Sequence, residues 1–139
     1  MYLSTKPTLY LIDGLNLVRS FLYEFARTEE DVTADFLDFL TEAAQSDSFC
    51  MHQYEVIFDG PYRPLGALVR GNVHLSFTDG ESADQIIYER ACYAAQAAQR
   101  VIAVTDDRQL QDMLKQAGVK TQFCRKFYTH LKNNYRTDY

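Results

Sequence analysis

The stretch TLYLIDGLNLV, residues 8–18, decides how this chain is read. Lys6 and Pro7 precede it, Leu9–Ile12 have the make-up of a buried strand, and Gly14 lets the backbone turn at its end. Yet the strand stops on a carboxylate, Asp13, with Asn16 just beyond. A charge at the end of a core strand is costly unless something compensates it. The pattern recurs. YEVIFDG, residues 54–60, also ends in Asp-Gly, and VIAVT, residues 101–105, stops at Asp106-Asp107. VHLSF, residues 73–77, and VKTQF, residues 119–123, complete five strand candidates, the last at a sheet edge.

Helical patterns lie between them. Apolar residues at 32, 36, 39/40 and 43 predict a helix to Ala44, with Thr28, Glu29, Glu30 and Asp31 placing negative charge at its N-terminus. A second helix is expected from about Ser82, with an inward stripe of Ile86, Tyr93, Ala94 and Ala97. A third spans residues 107–118, with Leu110 and Leu114 inward and Gly118 as its C-cap. A last one covers residues 125–135. Alternating strands and helices predict an α/β domain with a mainly parallel sheet of five strands and right-handed crossovers. At 139 residues the chain is expected to form one domain over 1–139, with 125–139 as a C-terminal helical extension. The segment Gly60–Gly71 carries turn formers and two arginines, and reads as a functional loop.

Composition excludes several classes. No apolar run approaches the length of a membrane span, the N-terminus MYLSTKP does not read as a secretory signal, and Cys50, Cys92 and Cys124 have no CxxC spacing. A cytoplasmic protein without membrane association is expected. Net charge is −5, unevenly spread: residues 1–60 hold 3 basic and 11 acidic side chains, residues 100–139 hold 8 basic and 4 acidic. In the tail, Arg125, Lys126, Lys132 and Arg136 interleave with Phe127, Tyr128 and Tyr135. Two readings stay open there: rings stacking on bases beside phosphate-binding cations, or a helix with aromatics inward and cations solvated. Ten Tyr and nine Phe leave room for a self-association surface, so a homodimer is an expectation.

Three strand ends with carboxylates fall where open α/β sheets bind ligands. Glu81 and Asp84, three apart at a helix start, add to the set. Clustered carboxylates raise one another's pKa unless a cation is present, and a hard divalent ion such as Mg²⁺ resolves this. His52, His74 and His130 are isolated and read as packing or surface residues. Asn16 suits a positioning role. There is no GxGxxG, no GxxxxGK[ST], no GxSxG, and no second aspartate two residues after Asp13. Metal-assisted phosphodiester hydrolysis fits what remains. Arg63, Arg70 and Arg108 are the candidates for phosphate contact.

LIDGLNLV, VIFDG, GESADQIIYER and VTDDRQLQ together resemble the YacP-like branch of the NYN domains, within the wider PIN-like nucleases. The resemblance runs from about Leu9 to Phe123. Gly80-Glu81-Ser82-Ala83-Asp84 stands where the family pattern is Gly-Glu-Thr-Ala-Asp. Thr105-Asp106-Asp107, with Gln111 four residues beyond, stands where the family has Thr-Ser-Asp and a following Gln.

The resemblance implies a three-layer α/β/α, PIN-like fold and a Mg²⁺- or Mn²⁺-dependent endoribonuclease. Its substrate would be RNA, including mRNA at the ribosome. Asp13, Asp84 and Asp107 would be metal-binding acids, Glu81 a ligand or outer group, and Asn16 the Asn of the first motif. Asp106, in place of the usual Ser, would be a further ligand or the cap of the following helix. Asp59 would sit with the arginines on the substrate side. The alternative is a non-catalytic RNA- or ribosome-binding domain that keeps the fold.

Overall fold

The computed structural model describes residues 6–22 and 26–137, and only the backbone of Phe21, Arg136 and Thr137. Residues 1–5 and the Arg136 side chain therefore lie outside it. Five strands form one sheet: β1 (Leu9–Asp13), β2 (Gln53–Phe58), β3 (Val73–Phe77), β4 (Val101–Val104) and β5 (Lys120–Gln122). Their order is β3-β2-β1-β4-β5, every pairing is parallel, and β1 lies in the centre between β2 and β4. The order reverses beside β1, and the crevice at such a switch point is where open α/β sheets place ligands.

The helices are α1 (Gly14–Leu17), continued by a π-helical turn Val18–Leu22, then α2 (Glu29–Ala44), α3 (Ala83–Gln96), α4 (Arg108–Gln116) and α5 (Cys124–Thr137). Strand alternation sorts the core into two halves. Ile12, Val56, Phe58 and Val104 face α2 and α5, where Phe36, Leu37, Leu40, Phe127 and Leu131 are buried. Leu11, Ile57 and Ala103 face α3 and α4, where Ile87, Ala91, Leu110 and Leu114 are buried. The result is the α/β/α sandwich.

Local signals behave as their chemistry requires. The hydroxyls of Thr28 and Ser82 accept from Asp31 N and Gln85 N, capping α2 and α3. Gly118 follows the C-cap of α4 at φ +80°, with its N–H on Lys115 O. The inward stripe of α3 differs from expectation by a small rotation. Ala83, Ile87, Ala91 and Ala94 are buried, while Tyr93 is 77% exposed and Ala97 is the C-cap. The buried line follows the four-residue step Ala83, Ile87, Ala91, and Tyr93 falls on the solvent side of the helix. In the tail, the inward alternative holds. Phe127 is 3% exposed, and Tyr128 and Tyr135 pack on Phe39 with ring centroids 5.3 and 6.0 Å apart. These three rings are core contacts, so the base-stacking alternative fails for them. No helix among the described residues is long and apolar enough to cross a membrane.

Gly14 has a tighter constraint than a turn. A Cβ there would stand 2.5 Å from Cε1 of Phe58, whose ring is buried and stacked on Phe77. The chain needs glycine because α1 lies directly on that ring.

Candidate active site

Asp13 ends β1, and its Oδ1 accepts from Asn16 N at 3.1 Å, capping α1. Asp59 follows β2, and its Oδ1 accepts from Ala83 N at 2.6 Å, at the first residue of α3. Asp107 follows β4, and its Oδ1 accepts from Leu110 N at 2.9 Å, capping α4. Three carboxylates at strand ends thus each hold the N-terminus of a helix, where unpaired N–H groups and the dipole favour negative charge. Asp84, in the first turn of α3, is the fourth, and its carboxyl interacts with both Asp13 and Asp107.

These four line one cavity of about 360 Å³ with Asn16, Arg19 and Ser20. Asp13 is 7% exposed. Burial, with the Asp84 and Asp59 charges adding to it, pushes its carboxyl up to about 7 despite the Asn16 N–H. Burial and the Asp107 charge push Asp84 up as well. A cluster of carboxylates that raise one another in this way has the donor chemistry of a hard divalent ion site. Among the described residues, no three acidic, Cys or His side chains already stand in ion-binding geometry.

The loop after β4 is locked in place. Thr105 is fully buried; its hydroxyl accepts from Asp107 N, and its carbonyl accepts from Gln111 Nε2 at 2.7 Å. Asn16 Oδ1 accepts from Asp106 N at 2.7 Å and lies 3.4 Å from Cys124 Sγ, while Asp106 Oδ1 accepts from Cys124 N. This clasp joins the ends of β1 and β4 to the start of α5.

The sequence model of the YacP-like NYN domain matches residues 10–138. This chain belongs to the YacP-like NYN domain family. Two crystal structures of Rae1 (YacP) from Bacillus subtilis, one of them a mutant, are similar in fold. Their TM-scores are 0.74 for the mutant and 0.72, each at 19% identity. The alignments cover 94% and 93% of this chain and 78% and 76% of those chains. No curated protein sequence matches. Membership of this family supports a nuclease or RNA-binding role.

Within the YacP-like NYN fold of this chain, the site residues expected from sequence divide into two groups. Asp13, Asn16, Asp59, Asp84 and Asp107 come together in the carboxylate cavity. Glu81 is exposed and does not line it. Asp106 turns to α5, and the cap of α4 is Asp107, so the capping alternative for Asp106 does not hold. Arg63 donates to the carbonyls of Asp59 and Pro61 and lies 5.5 Å over the Phe77 ring. Arg70 pairs with Glu42 at 3.5 Å. Neither arginine lines the cavity, and Arg108 lines a neighbouring groove with Asp106.

Arg19 is the cation that sequence reading missed. It lines the cavity, is held by Glu29 through two hydrogen bonds of 2.7 and 3.1 Å, and is drawn on by the Asp59 and Asp13 charges. Its place three residues after Asn16, one helical turn on, was the available signal.

The capping role of Asp59 is open to direct test. Asp59→Ala is expected to cost about 1 kcal/mol by taking the acceptor from Ala83 N at the start of α3, while Asp59→Asn, which keeps an acceptor oxygen, costs less. Urea denaturation of the two variants checks the difference.

Proposed function

We propose that this chain is a metal-dependent endoribonuclease, with Asp13, Asp84 and Asp107 holding Mg²⁺ or Mn²⁺. The observation that carries the reading is the convergence of Asp13, Asp59, Asp84 and Asp107 on one cavity at the switch point of a YacP-like NYN sheet, with burial and its neighbours pushing Asp13 up. The charge repulsion in this cluster is the form a cation site takes before the cation arrives. When bound, a divalent ion supplies activated water and neutralises charge on a phosphate.

The chain's own residues do the rest. The caps of α1 and α4 orient Asp13 and Asp107. Asn16 holds the backbone of Asp106, so that the acids after β1 and β4 keep a fixed spacing. Arg19, anchored by Glu29, offers a guanidinium at the cavity mouth for a phosphate oxygen. In this reading RNA is the substrate, Asp106 holds the start of α5 and Glu81 stays outside the metal set.

A second reading, an RNA-binding domain without catalysis, is favoured by one observation. The described acids do not already form a three-ligand set. Incubating the purified chain with a long mixed-sequence RNA separates the two. The tests use Mn²⁺, Mg²⁺ or EDTA, with and without ribosomes. Cleavage that EDTA stops is expected. RNA left intact under every condition, while still retarded on a gel, would replace the enzyme with the binding domain.

A further inference from the structure

A second groove, of about 810 Å³, lies beside the carboxylate cavity, between the start of α4 and one face of α5. Asp106 lines the groove and its neighbour Asp107 lines the cavity, and the Asn16–Asp106 hydrogen bond ties the two together. The groove carries three cations, Arg108, Arg125 and Lys126, against one carboxylate, Asp106. That balance is opposite to the protein's overall charge of −5. At its edge Phe123 is 50% exposed, one of few large apolar side chains so placed. The opposite face of α5, Phe127 and Leu131, is buried, so the helix is fixed and its polar face is presented as a rigid wall.

We propose that this groove is the track for single-stranded RNA leading to the carboxylate cavity, with Phe123 as a stacking platform for a base and Arg108 and Lys126 as phosphate contacts. This rests on the RNA reading above and adds the path and the strandedness. The charge pattern selects a polyanion, and the ring selects the strand form. A base in a single strand offers a free π-face to a ring, whereas a base in a duplex is already stacked on its neighbours. Phosphates bound along Arg108 and Lys126 would pass the Asp106–Asp107 step, which brings the backbone to the acids. Asn133 and Thr129, on the same face of α5, supply neutral hydrogen-bonding groups between the cations.

Fluorescence anisotropy in EDTA, with a labelled unstructured RNA and a duplex RNA of equal length, tests the assignment. Phe123→Ala is expected to weaken single-strand binding about tenfold and to leave duplex binding unchanged, with Phe123→Tyr restoring affinity. Lys126→Ala is expected to weaken both and to lower the salt slope by about one. With a divalent ion present, Phe123→Ala raises KM and keeps kcat.

Equal single-strand affinity for Phe123→Ala and wild type would overturn the track and point to a protein partner for the groove. That result would leave RNA cleavage, if observed, intact. RNA bound but never cleaved, with binding lost in Phe123→Ala, would uphold the track and remove the nuclease. No binding of either RNA by wild type would overturn the track and the RNA reading together.

Discussion

Asp13→Asn is expected to abolish divalent-ion-dependent RNA cleavage, by about a thousandfold or more, and at the same time to stabilise the metal-free protein above pH 7. The two effects share one cause. Asp13 is buried among like charges, and its carboxyl is raised from 3.8 to about 7. The folded state therefore holds a proton that the unfolded chain has released. Stability from this group is complete below about pH 4 and is lost as pH rises toward 7, where the buried carboxylate ionises beside Asp84 and Asp59. The rise to about 7 corresponds to roughly 4 kcal/mol as an upper bound.

Asparagine keeps an oxygen for Asn16 N and carries no charge, so the penalty disappears. His52 and His130, both lowered by burial, act with the opposite sign. For that reason the wild-type-minus-variant difference is the quantity to follow. Thermal unfolding in EDTA at pH 5 and pH 8 should show the variant more stable at both, with the larger gap at pH 8, since part of the loss falls between pH 4 and 5 and the rest by about pH 7. Adding Mn²⁺ at pH 8 should raise the wild type only. Equal pH profiles would mean that Asp13 is not strained by charge, and cleavage retained in the variant would remove it from the metal site.

Phe58→Ala is expected to cost about 3–5 kcal/mol, through lost burial and the cavity left in the core. Gly14→Ala alone is expected to cost about 1–3 kcal/mol, because the new methyl meets a ring that has nowhere to go. Its Cβ would lie 2.5 to 2.9 Å from three ring carbons of Phe58, a side chain 1% exposed. The double variant Gly14→Ala/Phe58→Ala should therefore be about as stable as Phe58→Ala by itself, since the obstruction has gone. The coupling equals the cost of the single Gly14→Ala change. A double-mutant cycle in urea measures it. Additive costs would show that closeness to Phe58 is not what requires glycine at position 14.

The sequence by itself determined the elements and most of the carboxylate set. Strand runs, the caps Thr28 and Ser82, the helix periods and the acids after β1, β2 and β4 are local signals. Their physics acts within a few residues: a side chain reaching an N–H three positions on, or an apolar face repeating every turn. The motifs around Asp13, Asp84 and Asp107 were legible for the same reason, and the parallel sheet then placed them at one end.

The tertiary structure decided what depends on residues far apart in the chain. It rotated the buried stripe of α3 away from Tyr93, and turned Phe127, Tyr128 and Tyr135 inward while leaving Phe123 out. It brought Arg19 into the cavity in place of Arg63 and Arg70, and gave Asp106 to α5. Gly14 and Phe58 meet across 44 positions, and Asn16 and Asp106 across 90. No periodicity or cap signal records such distances, because packing energy depends on which surfaces the fold lays together and not on spacing along the chain.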